Sequence, residues 1–465
     1  MRSQLRYGFI LGILLLTILG FTTQWSRAQS PATTVAQLPQ TTTSTLFENV
    51  RIFNGTADQL SAPANVLVVG NTIARISADT IQPPADVSLT RINGNGRVLM
   101  PGLIDDHVHI FMAALSPQDL LSPDTSVESI TKTAETTATG MLMRGFTSVR
   151  DLAGPVFELK RAIDRGTLVG PRIWPSGAMI SQTGGHGDFR ALSDLPRTPT
   201  SPLSRGEMLG AGAIADGVDE VLRVTREQLM RGASQIKLAA GGGVASDYDP
   251  LDVSQYTEAE LHAAVEAAAN WNTYVTVHAY TPTAIQTAIR AGVKCIDHGQ
   301  LMDDATARMM AENDIWLSMQ PFINTGTSPY PEGSPNRIKQ LQLYEGTDTA
   351  YGLAKKYNLK TAWGTDQLWS AAQLEKQGEL LTRMVRWYTP AEVLQMATRV
   401  NAELLALSGP RNPYPGKLGV VEVDALADLL LVDGNPLENI ELIADPANNF
   451  LVIMKDGKLY KNTVS

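Results

Sequence analysis

Short apolar runs alternate with helix-forming stretches through the middle of the chain, and this alternation restricts the fold more than any other feature. The helical stretches are clearest at 257–271, 281–292, 303–314, 371–386 and 389–407. The apolar runs lie at 99–104, 146–151, 172–180, 235–240, 274–280, 293–298, 315–321 and 360–366. Eight strand–helix repeats over about 300 residues predict an α/β fold, a (β/α)8 barrel of the TIM type. The longest irregular stretch, 182–215, follows the third run, and we expect it to project from the catalytic face.

The two ends of the chain have a different pattern, that of short strands joined by tight turns. Strands are predicted at 49–53, 64–69, 72–77 and 88–93, and again at 428–433, 450–455 and 458–462. Neither end is long enough to bury a core of its own. The sequence therefore predicts one small composite β-sandwich domain built from residues 46–100 and 410–465, with the barrel spanning 101–409.

Residues 1–28 have the pattern of a secretory signal peptide. Two arginines precede an apolar core at 7–21, and Ser26-Arg27-Ala28 forms a small-x-small cleavage motif. The alternative is an uncleaved anchor, but the core is shorter than the roughly 20 residues that a membrane span requires. We expect a secreted or periplasmic protein with no stable membrane anchor after cleavage. Its mature N-terminus, 29–45, is predicted to be flexible.

Charge and cysteine content exclude several classes of function. The chain carries 38 Lys and Arg against 47 Asp and Glu and has no basic run, so it is not expected to bind nucleic acid. Its single cysteine, Cys295, rules out an intramolecular disulfide framework and a cysteine-based zinc site. The expected partner is a small-molecule substrate, and the expected assembly is a homo-oligomer.

Four of the six histidines, one lysine and one aspartate fall near the ends of the apolar runs, where barrel enzymes place their chemistry. His107 and His109 flank a single residue on an extended segment, so both rings can reach one metal ion. Taken singly, each histidine is better explained as a structural residue, and a buried lysine is costly without a partner. Together the residues predict a metal site made of His107, His109, Lys237, His278, His298 and Asp366.

Longer motifs resemble the amidohydrolase superfamily. Pro101-Gly-Leu-Ile-Asp-Asp-His-Val-His109 resembles its first-strand motif, and Ala427-Asp-Leu-Leu-Leu-Val-Asp433 resembles part of its sandwich domain. A narrower resemblance is to the imidazolonepropionase-related, prolidase-like group. This group includes Xaa-Pro dipeptidases and N-acyl-amino-acid amidases. The segments that carry this narrower resemblance are 145–151, 181–188, 236–246, 278–280 and 297–299.

The resemblance implies two divalent metal ions, usually zinc. His107 and His109 would bind the more buried ion, and His278 and His298 the more exposed one. Lys237, carboxylated by CO₂ to a carbamate, would bridge the two ions. Asp366 would bind the first ion and act as proton shuttle for a hydroxide that attacks the amide carbonyl.

Substrate-binding residues are less strongly indicated. His186, in a Gly-flanked loop, is a candidate catalytic or substrate-binding donor to the carbonyl oxygen or to a substrate carboxylate, the alternative being a loop histidine without a role. Tyr280 is a second candidate donor to the carboxylate, and Tyr248 is a third on position alone. Arg150, at the end of the second run, is better explained by structural support, and His262, in the middle of a predicted helix, by a surface or packing position. Trp363 and Trp369 bracket Asp366 and are candidates for the pocket wall, but packing explains them better.

The sequence therefore predicts a secreted, binuclear, metal-dependent hydrolase that cleaves the amide bond of dipeptides or N-acyl amino acids. One alternative is hydrolysis of another small cyclic or linear amide, ester or lactone on the same metal site. Another is a catalytically dead periplasmic binding protein, which the intact set of six candidate ligands disfavours.

Overall fold

The computed structural model describes residues 43–464, except residues 86, 199 and 327. The predicted signal peptide and most of the predicted flexible N-terminus lie outside this range. Residues 43–45, which the sequence assigned to the flexible segment, instead begin the first strand. Ser44 pairs there with Val69 and with Leu89, and these two ladders fix its backbone.

The described residues form both strands and helices. The strands are β1 (Thr43–Ile52), β2 (Ala64–Val69), β3 (Thr72–Ser77), β4 (Ser88–Asn93), β5 (Val98–Pro101), β6 (Leu103–Val108), β7 (Phe146–Asp151), β8 (Arg172–Pro175), β9 (Met179–Ser181), β10 (Gly212–Ile214), β11 (Ile236–Ala239), β12 (Val275–Ala279), β13 (Cys295–His298), β14 (Trp316–Met319), β15 (Thr361–Trp363), β16 (Leu429–Val432), β17 (Phe450–Lys455) and β18 (Lys458–Asn462).

The α-helices are α1 (Pro117–Leu121), α2 (Val127–Met143), α3 (Phe157–Asp164), α4 (Arg205–Leu209), α5 (Val218–Arg231), α6 (Glu258–Asn270), α7 (Pro282–Ala291), α8 (Asp304–Glu312), α9 (Pro335–Lys356), α10 (Ala371–Leu374), α11 (Gln377–Thr382), α12 (Pro390–Gln395), α13 (Asn401–Ala406) and α14 (Pro446–Asn449). Within the described part of the chain, no helix combines the length and the apolar character that a membrane span requires.

Strands from the two ends of the chain share one sheet. Its order is β18-β17-β16-β5-β1-β2-β3, and β4 pairs with β1. The ends meet where β5 runs antiparallel to β16, with Leu99 opposite Leu431. Both leucines are fully buried in a cluster with Phe47 and Val452. The two ends thus bury a common apolar core, while the exact domain boundaries stay predictions.

The strands of the middle region pair only in parallel. They form a three-stranded sheet, β6-β7-β8, and a seven-stranded sheet, β10-β9-β11-β12-β13-β14-β15. The predicted third strand is divided into β8 and β9, and Gly177, with φ of +77°, lies between them. Among the described residues the ladders do not join into one closed ring, so the closed barrel stays a prediction.

Hydrogen bonds outside the ladders connect the two parallel sheets. On one side Asn401 donates from Nδ2 to the carbonyl oxygen of Ile104, 2.8 Å away, and to that of Trp363, 2.7 Å away, linking β6 with β15. On the other side the amide of Ser234, just before β11, donates to the carbonyl of Pro175 on β8 at 2.8 Å. These bonds connect the two parallel sheets on both sides.

Most predicted helices are present, and the differences have local causes. The predicted helix 371–386 is divided into α10, α11 and a 3-10 turn, and 389–407 contains a π-helical turn at Met396–Val400. The irregular stretch 182–215 contains α4 and β10. The 22-residue helix α9 was not among the predicted helices, because its buried positions do not form a continuous apolar stripe along its sequence.

Candidate active site and metal centre

All six predicted metal ligands line one cavity of about 490 Å³. They come from the carboxyl ends of five parallel strands and the segments that follow them. His107 is the last but one residue of β6 with His109 just beyond the strand, Lys237 is on β11, and His278 is on β12. His298 ends β13, and Asp366 follows β15. Parallel strands end on the same edge, which is why residues far apart in sequence converge here.

The tightest cluster consists of His107, His109 and Asp366. Oδ1 of Asp366 lies 2.9 Å from Nε2 of His109 and 3.4 Å from Nε2 of His107. One candidate ligand atom from each of the three residues lies within 4.8 Å of the others. The Nδ1 atom of His109 is buried and has no hydrogen-bond partner. Imidazole nitrogens and a carboxylate at this separation fit a divalent transition metal such as zinc.

A second pair of histidines lies beside this cluster. The ring centroids of His278 and His298 are 4.5 Å apart, and those of His107 and His298 are 4.9 Å apart. Nδ1 of His298 lies 2.7 Å from Oε1 of Gln320, and Nε2 of Gln320 lies 3.5 Å from Nδ1 of His107. Gln320 thus connects the two groups of histidines, a role that sequence reasoning missed because no motif marks it.

Burial lowers the pKa values of His107, His278 and His298 and keeps these three imidazoles neutral at ordinary pH. Desolvation, followed by the charge of Lys237, holds the pKa of His107 well below its usual value. Burial also lowers the pKa of His298 to about 4. For Asp366 burial raises the pKa, but the hydrogen bond with His109, together with the nearby His298 and Lys237, outweighs it and holds the pKa below its usual value. Neutral imidazole and ionised carboxylate are the forms that bind metal ions.

Lys237 has a counter-charge that the sequence analysis did not identify. Its Nζ contacts Oδ2 of Asp297, and Oδ1 of Asp297 is 2.9 Å from Nη2 of Arg150. Arg150 also donates from Nε to the carbonyl of Asp106 at 2.6 Å. All four side chains are buried. Although burial raises the pKa of Asp297, the charges of Lys237 and Arg150 lower it overall. The lysine is therefore paired, and Arg150 supports the site by ion pairing.

His186 is held by the loop that follows β11. Its Nδ1 lies 2.7 Å from Oγ of Ser246 and 3.7 Å from Oδ2 of Asp249. Its ring stacks on that of His278 at a centroid distance of 4.0 Å. A Cβ atom added to Gly243 would lie 1.9 Å from Nδ1 of His186, so only glycine allows the ring this position. Burial lowers the pKa of His186 to about 3.

Of the two tyrosines proposed to bind substrate, only Tyr280 lines the cavity. Its ring lies 4.7 Å from that of His278, and its hydroxyl has no hydrogen-bond partner among the described residues. Tyr248 does not line this cavity: its side chain is exposed, and its hydroxyl donates to the carbonyl of Arg190 at 3.1 Å. The structure places Tyr248 at a separate depression, so its role in substrate binding stays a prediction without support from this cavity.

Of the three remaining candidates, one lines the cavity and two have structural positions. Trp369 lines the cavity, whereas Trp363 is fully buried and stacks on Phe146. His262 is exposed on α6, and its Nδ1 lies 3.2 Å from the carbonyl oxygen of Ala291.

One wall of the cavity was not predicted. Phe322 and Tyr330 come from the segment after β14, and Leu343 and Tyr344 come from α9. Phe322 stacks on His298 with a centroid distance of 6.4 Å. These side chains reach the site through tertiary packing, and no local sequence signal indicates it.

Comparison with known proteins places this site among enzymes of one kind. Residues 98–460 match the family described as the amidohydrolase family. The ochratoxinase of Aspergillus niger is 33% identical over 412 residues, which cover 86% of this chain and 83% of that protein. The crystal structure of an amidohydrolase shares 35% identity with a TM-score of 0.82, over 91% of this chain and 100% of that one. A prolidase complexed with N-methylphosphonate-L-proline shares 32% identity with a TM-score of 0.81, over 90% of this chain and 100% of that one.

Proposed function

Because this chain belongs to the amidohydrolase family and is a hydrolase of amide bonds, we propose that its substrates are dipeptides or N-acyl amino acids, cleaved in a metal-dependent reaction. The observation that carries the proposal is the convergence of His107, His109 and Asp366 beside His278 and His298 in one cavity. The similarity to an ochratoxinase and to a prolidase supports an amide bond next to an amino acid.

The donor set fits two metal ions, proposed to be zinc. His107, His109 and Asp366 would hold one ion, and His278 and His298 the other. A carbamate on Lys237 would join them, and its formation would require the lysine to leave its contact with Asp297. Such ions would lower the pKa of a water molecule and polarise the amide carbonyl.

Asp366 is proposed to move the proton. Its carboxylate is ionised and lies at the meeting point of the histidine rings, with Oδ1 2.9 Å from His109 and Oδ2 3.8 Å from His298. In this position it can take a proton from the attacking water and deliver it to the leaving nitrogen. Its φ of +52° is a left-handed backbone conformation, which turns the side chain at the end of β15 toward the cavity.

Tyr280 and His186 are proposed to bind the substrate carboxylate. Both line the cavity, and both contact His278, through rings 4.7 Å and 4.0 Å away. Among the described residues the hydroxyl of Tyr280 has no hydrogen-bond partner, so it is available to donate. A hydrogen bond to a charged group contributes about 1.5–3 kcal/mol, enough to orient one end of a small substrate.

A screen of the zinc-loaded protein against a library of dipeptides and N-acyl amino acids tests the proposal. Release of the free amino acid from members of either class is the expected result. The Asp366→Asn variant, assayed in parallel, should release far less and thereby controls for a contaminating peptidase. If the library is untouched while a lactone or ester panel is cleaved, the amide assignment is contradicted.

Export of the protein is a separate proposal that depends on residues 1–28 alone. Sequencing the N-terminus of protein exported from its native source should give a start at or within a few residues of Gln29. A chain that retains Met1 and stays in the cytoplasm would contradict it.

A further inference from the structure

The cavity has few carboxylates. This distinguishes between the two proposed substrate classes, dipeptides and N-acyl amino acids. Among the described residues that line it, Asp366 is the only acidic side chain. Its two oxygens are already close to the rings of His109 and His298. The acidic residues Asp247, Asp249 and Asp252 line a different depression. Asp249 is not among the residues that line the cavity, although its Oδ2 lies 3.7 Å from Nδ1 of His186. Among the described residues, no carboxylate besides Asp366 therefore lines the cavity to pair with a substrate ammonium group.

A dipeptide with a free N-terminus would place such an ammonium group next to the scissile carbonyl. Burying a charge without a partner is strongly unfavourable. An acyl group at the same position carries no charge and requires no counter-ion.

Apolar side chains cover two sides of the cavity. We call the first side the Trp369 wall, made of Met112, Met179, Phe189, Leu368 and Trp369, and the second the Phe322 wall, made of Val244, Phe322, Tyr330, Leu343 and Tyr344. Phe189 and Trp369 meet edge to face at 6.2 Å. Tyr280 packs in the same apolar cluster as Leu343 and Phe322. The proposed carboxylate donor is therefore on the side of the Phe322 wall.

Building on the proposed function, we infer that the preferred substrates are N-acyl amino acids with a large apolar acyl group, and that dipeptides with a free N-terminus are poor substrates. The amino-acid half lies against the Phe322 wall, where Tyr280 meets its carboxylate. The acyl half lies against the Trp369 wall. A cavity of about 490 Å³ is within the range that holds drug-sized ligands and is large for a small dipeptide.

Three substrates that release the same amino acid test the inference. Glycyl-phenylalanine and N-acetylglycyl-phenylalanine differ by the ammonium group, and N-benzoylglycyl-phenylalanine adds an aromatic ring. At pH 7 the acetylated compound should have a kcat/KM roughly 100-fold or more above that of the free dipeptide. Above pH 8 the α-amino group of the free dipeptide loses its proton, so its kcat/KM should rise relative to that of the acetylated compound.

Two variants test where the acyl half of the substrate binds. Trp369→Ala should lower kcat/KM for the benzoyl compound about tenfold more than for the acetyl compound. Trp271→Ala, which removes a partly exposed tryptophan at the end of α6, is the matched control and should leave kcat/KM unchanged for both compounds. If Trp369→Ala lowers kcat/KM equally for the two compounds, the placement of the acyl group against the Trp369 wall is contradicted.

The outcomes separate this inference from the proposed function. Cleavage of glycyl-phenylalanine at pH 7 as fast as its acetylated form would overturn the inference and leave an amide hydrolase of dipeptides. Failure of the zinc-loaded enzyme to cleave any of the three, or any other amide of an amino acid, would overturn the proposed function itself.

Discussion

His109 and Asp366 are 257 residues apart in the chain, yet Nε2 of the histidine lies 2.9 Å from Oδ1 of the carboxylate. The contact joins the segment after the first strand of the parallel region to the segment after its last. A backbone hydrogen bond of 2.8 Å from the amide of Asp366 to the carbonyl of His107 fixes the same junction. The candidate metal centre therefore depends on the two ends of the parallel region coming together.

Replacing Asp366 by asparagine should separate proton transfer from metal binding. The amide keeps the size and one ligand oxygen but cannot hold a proton at neutral pH. We expect kcat to fall roughly 100-fold or more, with a much smaller change in metal content. Both are measured on the same preparation, by steady-state assay and by elemental analysis. A kcat within a few-fold of the parent would place the proton acceptor elsewhere.

Removing the side chain of Lys237 tests the bridging carbamate. Lys237→Ala should lose metal and activity together, and a short carboxylic acid such as acetate or propionate should restore part of both. Mass spectrometry of the intact parent protein under CO₂, in non-acidic conditions, should show the added carboxyl group. A variant that retains two metals and full turnover would eliminate the bridge.

Loss of the Tyr280 hydroxyl should affect only substrates with a free carboxylate. Tyr280→Phe is expected to lower kcat/KM for such substrates by roughly ten- to 150-fold and to spare substrates whose carboxylate is amidated. Tyr248→Phe is the matched control, because Tyr248 lies outside the cavity and should change neither rate. If Tyr280→Phe lowers kcat/KM equally for both kinds of substrate, carboxylate recognition by Tyr280 is refuted.

The position of His186 depends on a glycine. In Gly243→Ala the new methyl group would occupy the place of the His186 ring, 1.9 Å from Nδ1. We expect the ring to shift and kcat/KM to fall at least tenfold, while the protein stays folded. Gly352→Ala is the control: it is exposed on α9, nothing lies within 4 Å of the added Cβ atom, and alanine favours helix. Equal activities of the two variants would contradict a role for His186.

Much of the candidate site is predictable from sequence because its candidate ligands follow a regular pattern. Histidine, lysine and aspartate at strand ends are visible in the linear pattern, and parallel strands then bring them together. The partners of these ligands are not visible. Gln320 and Asp297 resemble any other polar residue near a strand end, and only the geometry shows that they contact His298 and Lys237.

The walls of the cavity were harder to predict for a related reason. Tyr248 and Tyr330 are both tyrosines in loops beyond strand ends, yet only Tyr330 lines the cavity. The direction of a loop side chain depends on tertiary contacts such as the bond from Tyr248 to Arg190. A propensity pattern cannot supply such contacts, and this also explains why the contribution of α9 was missed.

Restoring metal to chelator-stripped protein tests the central claim most directly. Zinc is added in steps while hydrolysis of N-benzoylglycyl-phenylalanine and bound metal are measured together. We expect no turnover without metal, recovery as zinc is bound, and saturation at about two ions per chain. Full turnover by the metal-free protein, or no turnover of any amino-acid amide by the fully loaded protein, would contradict a metal-dependent amidohydrolase at this site.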